Sequence, residues 1–394
     1  MNEKIYIAKR LLTAQMQSLW FYIFRIFPIK KKKIVFTCIE GTTGYSCNPK
    51  YIAEELIKRN EGYELVWLVD DMTKKFPKEI RAVKNSLINR AYHLTTAKFW
   101  IDNSRKQLEV RKREGQIYIQ TWHAKLGFKP TCLDRGASFS RIAYLVSKHD
   151  SEMIDYVLSN SDWYDKTLPT GMLYNGKILR TGSPRCDILV NGREEAHKKV
   201  RQEYHLPQDA KIIMYAPTFR GGSQSVNREL AKDDHAPEYG MLLDALKKRF
   251  GGEWFIFLRL HPQLTVRHIA NTKQMEKLID VSRVDDMYEL LAGCDAFMTD
   301  YSSAAFDAAV MGIPIFLYAD DYEDYEAERG RLLWNRRELP FPLAESVSEL
   351  DYSLAEFDER VYLARLERFF RETGMMEDGH ASERVTEWLE ERFH

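Results

Sequence analysis

Two α/β domains, each a doubly wound parallel sheet, are what this sequence of 394 residues predicts. Three observations carry that reading. Short β-rich runs alternate with helical stretches along most of the chain. The alternation restarts after a basic, polar stretch at 191–207. Polar clusters able to do chemistry follow directly behind several of the β-rich runs, which is where open α/β sheets bind ligands. The length is ample for two ordinary cores.

Taken in order, residues 1–32 read as an aromatic-rich helix. Leu19-Trp20-Phe21-Tyr22-Ile23-Phe24 follows Lys4, Lys9 and Arg10 and precedes Lys30-Lys31-Lys32-Lys33. Runs at 33–39, 64–69, 99–102, 117–121, 156–159 and 178–181 have the β-branched and aromatic content of buried strands. Between them, 49–59 sets Tyr51, Ile52, Leu56 and Ile57 at helical spacing. The second series has strands at 212–215, 254–260, 278–281, 296–299 and 313–318. Helices at 238–250, 270–277 and 286–292 separate them, and 220–237 reads as a polar loop. The expected divisions are therefore 1–32, an N-terminal domain 33–190, a C-terminal domain 191–359, and helices over 360–394 that return across both.

Lys plus Arg and Asp plus Glu balance at 58 each, which removes a global electrostatic case for nucleic-acid binding. The five cysteines (Cys38, Cys47, Cys132, Cys186, Cys294) form no C-x-x-C pair, which argues for a reducing compartment and against a zinc site or disulfide framework. No run reaches the roughly 18–20 apolar residues that span a bilayer. The N-terminal segment lacks a small-residue cleavage site, so a signal peptide does not fit. An amphipathic helix on an anionic leaflet does, with the lysine run drawn to the surface. The alternative is packing on its own domain or on a second subunit, which leaves a homo-oligomer open.

The richest stretch is 297–318. Asp300-Tyr301-Ser302-Ser303 follows an apolar strand and supplies helix-capping residue types before a helix over 304–311, which Gly312 and Pro314 stop. Such a helix start offers N–H groups and two hydroxyls to an anion. In the same series, one strand runs into Thr218-Phe219-Arg220 and another into Arg259-Leu260-His261-Pro262. Arg220 and Arg259 suit phosphate oxygens, although strand alternation over 257–261 points Arg259 the other way. In the first series, 117–121 leads into Trp122-His123-Ala124-Lys125, and a His behind a buried strand can serve as a general base. Asp320-Asp321 and their neighbours read as an acidic helix start, with Asp321 left open as a cleft residue. P-loop and G-x-G-x-x-G motifs are absent from the sequence. Convergence of several strand ends, rather than any one motif, points to a phosphate-bearing ligand.

Gln120-Thr121-Trp122-His123, Ala216-Pro217-Thr218-Phe219-Arg220, Arg259-Leu260-His261-Pro262 and Thr299-Asp300-Tyr301-Ser302-Ser303 together resemble the CDP-glycerol glycerophosphotransferase family. These are teichoic-acid and capsule polymerases and primases. Asn48-Pro49-Lys50-Tyr51, Gly182-Ser183-Pro184-Arg185, Asp321 with Tyr325, Arg329-Gly330 and Asp378-Gly379 extend the resemblance over most of 33–390. Two positions depart from it: Ala124, where the family commonly has Gly, and Cys186, where it commonly has Asn.

The resemblance implies a GT-B fold, two Rossmann-like domains facing a cleft, with peripheral attachment at the cytoplasmic face of the membrane. It implies transfer of glycerol phosphate or ribitol phosphate from a CDP-alditol to a hydroxyl of a lipid-linked saccharide or growing polymer. It also implies that His123 and His261 are needed. The expected roles are His123 as general base, and Arg220, Arg259, Thr218, Asp300, Ser302 and Ser303 on the donor phosphates with His261. Trp122, Lys125 and Asp321 are expected at the acceptor or cleft. No metal ligand set and no cofactor is expected. The nearest rival is a GT-B glycosyltransferase of the sialyl- or polysialyltransferase kind using a nucleotide sugar. A catalytically silent assembly subunit is a third reading.

Overall fold

The computed structural model describes residues 3–218, 236–260, 276–335 and 338–393. The chain divides into two compact units. The first comprises Met1–Lys125, Thr131–Asp187 and Met375–His394; the second comprises Leu126–Pro130 and Ile188–Gly374.

In the first unit the described strands are β1 (Lys30–Thr37), β2 (Glu64–Val69), β3 (Ile80–Lys84), β4 (Ala97–Asp102), β5 (Ile117–Gln120), β6 (Tyr156–Ser159) and β7 (Lys177–Arg180). Their order is β3-β2-β1-β4-β5-β6-β7, parallel throughout. Because strand side chains alternate, one sheet buries two different sets. Val35, Val66, Trp100, Tyr118 and Val157 meet Phe21, Ala91 and Leu94 on one face. Ile34, Phe36, Leu65, Trp67, Phe99 and Ile119 meet Ile52, Leu56, Val385 and Leu389 on the other. Within this sheet, β3 is the strand that periodicity did not predict. It is an edge strand carrying Arg81 and Lys84, with Ile80 its one buried residue, so it lacks the apolar run that marks its neighbours.

In the second unit the strands are β8 (Lys211–Tyr215), β9 (Trp254–Leu258), β10 (Leu278–Asp280), β11 (Ala296–Thr299), β12 (Ile315–Tyr318) and the short β13 (Leu343–Ala344). Their order is β10-β9-β8-β11-β12-β13, again parallel. The helix Glu359–Thr373 buries Tyr362, Leu366 and Phe369, spaced one helical turn apart. Its Phe369 stacks on Phe306 at 5.5 Å between ring centroids. In both sheets the strand order reverses beside a central strand, at β1/β4 and β8/β11. Those switch points leave crevices at the carboxyl ends of the strands.

The N-terminal helix runs over Glu3–Ile23. It docks on its own unit through Ala14, Ser18 and Phe21, with Phe24 packing edge-on against Tyr92. The lysine run forms the start of β1, its first three residues exposed and the fourth turned inward. Lys30 pairs with Glu64 at 2.8 Å, Lys32 donates to the Glu61 carbonyl, and Lys33 is buried, donating to Thr96 Oγ1 at 2.7 Å. Burial pulls the Lys33 ammonium down to about 8. The expected helix over 270–277 falls largely outside the described residues. That over 304–311 is an α-helix at Ala304–Ala308 followed by a 3-10 turn at Ala309–Met311.

Candidate active site

On the first unit, β4 ends at Asp102 and β5 at Gln120, so Asn103 and His123 project from neighbouring strand ends. The His123 ring stands 2.6 Å (Nδ1 to O) from the Asn103 carbonyl. A carbonyl only accepts, so Nδ1 carries the proton and Nε2 keeps its lone pair. Burial lowers the His123 imidazole to about 4. The Asn103 hydrogen bond opposes that shift, and Arg185 and Arg105 add to it. The ring is therefore neutral at physiological pH and shaped as a proton acceptor.

The loop that delivers it is strained and braced. Trp122 adopts φ 49°, unusual for a bulky residue. Its N–H donates to Gln120 Oε1 at 3.0 Å, and its carbonyl accepts from Asn48 Nδ2 at 2.7 Å. The Arg105 guanidinium lies 4.6 Å from the Trp122 ring centroid. Asn103 also accepts the Ile39 N–H through Oδ1 at 2.7 Å, spanning the β1/β4 crevice. Lys125 turns inward and donates to Gly182 O and Ser183 Oγ, both at 2.9 Å. Glu377 accepts from Ser183 N–H and Asn160 Nδ2 at 2.8 Å each. Its carboxyl is pushed up to about 7 by burial, with Lys125 acting against the rise.

On the second unit, Asp300 follows β11 and is almost fully buried. Its carboxylate accepts the Thr218 N–H (2.9 Å to each oxygen), Thr218 Oγ1 (2.5 Å) and the Tyr301 N–H (2.5 Å). Asp300 thus ties the loops behind β8 and β11 across the crevice, and it does not cap the helix. Ser302 Oγ accepts from Ala304 N–H at 3.3 Å, while Ser303 is the residue from which that helix starts, without a side-chain cap. Tyr301 donates to Asp321 Oδ1 at 2.8 Å and stacks on Tyr325 at 3.9 Å. Arg259 is spent elsewhere. Its Nη1 donates to the Val281 and Val284 carbonyls at 3.1 and 2.8 Å, the orientation that strand alternation anticipated. Arg220 and His261 lie outside the described residues.

The structure therefore brings His123 and Trp122 together on one unit and Thr218, Asp300, Tyr301, Ser302 and Asp321 on the other. Asn103, Arg105 and Glu377 are the residues that sequence reading passed over. Asn103 and Arg105 sit directly behind a strand predicted to end at Asp102, so the rule that flagged His123 would have found them. Among the described residues, no group of three or more His, Cys, Asp or Glu side chains is placed to hold a metal ion.

Two parallel-sheet units with polar clusters at their strand ends define a GT-B-like transferase architecture. The family model for CDP-glycerol:poly(glycerophosphate) glycerophosphotransferase matches residues 19–391, and the chain belongs to that family. The teichoic acid poly(glycerol phosphate) polymerase of Bacillus spizizenii is 28% identical over 99% of this chain and 100% of its own. The teichoic acid poly(ribitol-phosphate) polymerase of the same organism is 28% identical over 93% of this chain, which spans 57% of that longer protein. Other polymerases that the chain matches are about twice its length. The solved structure of the wall teichoic acid polymerase TagF has a TM-score of 0.80 at 27% identity, covering 99% of this chain and 96% of its own.

Proposed function

We propose that this chain transfers glycerol phosphate, or ribitol phosphate, from a CDP-alditol to a hydroxyl of a lipid-linked teichoic-acid acceptor and releases CMP. The observation that carries the reading is the neutral, Nδ1-protonated His123 at the end of β5 in a chain of this family. The acceptor oxygen attacks the phosphorus bearing the alditol, and its proton passes to His123 Nε2. The bond from that phosphorus to the bridging oxygen breaks, and CMP leaves with the electron pair. Transfer of this kind rests on positioning and charge neutralisation more than on covalent help. On the second unit, the crevice tied by Thr218 and Asp300 offers Ser302 and Ser303 toward donor phosphates. Arg220 and His261 are assigned to the same role from sequence.

Association with a membrane surface belongs to the same proposal. The N-terminal helix leaves Leu12, Met16, Leu19 and Ile23 exposed at 62%, 64%, 58% and 49%, spaced one turn apart on a single stripe. That stripe supports interfacial docking, with the exposed Lys30, Lys31 and Lys32 as its basic counterpart. Among the described residues, no helix is long and apolar enough to cross a membrane. Replacing these four residues by Ser should abolish flotation with anionic liposomes while leaving the docked face, and so the fold, intact. Retained flotation would remove the membrane from the proposal.

The reaction is tested by mass spectrometry of products formed from CDP-glycerol and from CDP-ribitol, each offered with a lipid-linked disaccharide. Release of CMP with a phosphodiester product is expected. A glycosidic product from a nucleotide sugar, or no turnover of either CDP-alditol, would overturn it.

A further inference from the structure

All five cysteines are free thiols, and two of them meet beside the candidate site. Cys38 follows β1 directly, and Cys47 opens the helix Cys47–Arg59. Ser46, whose Oγ lies 3.4 Å from Cys38 Sγ, is the residue before Cys47, and each thiol shifts the ionisation of the other. Cys38 is fully buried, its sulfur accepting from Asn103 Nδ2 at 3.1 Å. Cys47 is only partly buried, and the Arg185 guanidinium (Nη1) donates to its sulfur at 3.3 Å. We propose that Cys38 and Cys47 form an oxidant-responsive thiol pair, in which Cys47 is the attacking sulfur, Cys38 the resolving one, and hydrogen peroxide the oxidant.

The two sulfurs differ in the way such a pair requires. The neighbouring Cys38 thiol and the Arg185 guanidinium, 3.3 Å from the Cys47 sulfur, favour the Cys47 thiolate against burial and hold this thiol below an ordinary cysteine. Cys38 is driven well upward by burial and by its charged neighbour. The chemistry balances in two steps. The Cys47 thiol gives up its proton, its sulfur attacks one peroxide oxygen, the O–O bond breaks, and Cys47 sulfenic acid forms while the other oxygen leaves as water with that proton. The Cys38 sulfur then attacks the Cys47 sulfur, the S–O bond breaks, and a second water leaves with the Cys38 proton. Two thiols are oxidised and one peroxide is reduced.

The bond would reach the candidate site by a short route. Asn103, which donates to Cys38, holds His123 through its carbonyl. Asn48, adjacent to Cys47, holds the Trp122 carbonyl and accepts the Arg185 N–H at 3.1 Å. A disulfide removes the charge that Arg185 faces and draws Cys38 from Asn103, so the His123 loop loses two of its supports.

The test treats the full chain with hydrogen peroxide and follows it by intact and peptide mass spectrometry. Loss of two hydrogens with a linked Cys38–Cys47 peptide is expected, reversed by dithiothreitol. Cys38→Ser should instead retain an added oxygen at Cys47, and Cys47→Ser should abolish the reaction at both positions. Cys294, fully buried in the other unit, is the internal control. If Cys47 is oxidised no faster than Cys294, or if the linked peptide never forms, the proposal fails. This readout needs no turnover, so it stands apart from the proposed reaction. Where CMP release is measurable, peroxide should remove most of it from the wild type and spare Cys47→Ser. Equal loss in both would sever the link to the His123 loop.

Discussion

An imidazole serves as a base only if one ring nitrogen keeps its lone pair, and at His123 the Asn103 carbonyl makes that choice. His123→Ala should lower kcat by about 10²–10⁴-fold, the usual worth of general-base help. Donor affinity, measured by titration calorimetry with CDP-glycerol, should change little, whereas a large affinity loss would assign His123 to the donor instead. Because burial holds the free imidazole near 4, protonation of His123 can impose an acid limb on kcat/KM only near that value, well below an ordinary histidine. An acid limb near 6.5 that disappears in a His123 variant would contradict the environment described. Asp300 poses a different question. Its carboxylate already holds two N–H groups and a hydroxyl of its own unit, so Asp300→Ala leaves buried donors unpaired. Thermal or urea unfolding should register a loss of about 1–3 kcal/mol. An Asp300→Ala chain of unchanged stability but lost donor binding would make the carboxylate a ligand.

The helix Leu87–Thr96 shows how an element can be readable in pattern while its chemistry is not. Its Ala91 and Leu94 join the core against Phe21, yet the same buried side admits His93. Burial first, then the Lys33 and Arg81 charges, pulls the His93 imidazole down to about 4, with Glu64 opposing. The folded state therefore keeps His93 neutral, while the unfolded chain takes up a proton near 6.5. Between those values the unfolded state binds more protons, so this stability is whole above about 6.5 and is lost as pH falls toward 4. His93→Leu should flatten the fall of Tm over that window, read by calorimetry at stepped pH; an unchanged slope would mean His93 is already charged in the fold. One lysine of the run beside it was hidden from the sequence for a related reason. Four consecutive lysines look like a surface patch, but strand alternation and Thr96 turn Lys33 inward, and no local pattern announces a buried lysine.

At the scale of the molecule, both sheets were legible because parallel strands buried on two faces leave nearly continuous apolar runs. The strand-end polar clusters were legible because the chemistry must sit where those runs stop. What sequence could not reveal are partnerships closed over long separations. Glu377 meets Ser183 and Asn160, and the chain returns from the second unit at Met375 to complete the first. That return has an energetic meaning. Leu389 and Val385, on the helix Ala381–Glu390, are fully buried against Ile52, Leu56 and the face of β1, β2 and β4 that carries Phe36, Trp67 and Phe99. Arg59 fastens the end of the helix to Glu390 at 2.6 Å. Leu389→Ala should cost about 2–5 kcal/mol, the range for an emptied core leucine. Hydrogen exchange should place that loss in β1, β2 and β4 while β8, β9 and β11 keep their protection, because the cavity lies in a core that the second unit does not share. Uniform loss of protection in both units would mean that they unfold as one cooperative body, and the last twenty residues would then stabilise the whole chain rather than the sheet that they rejoin.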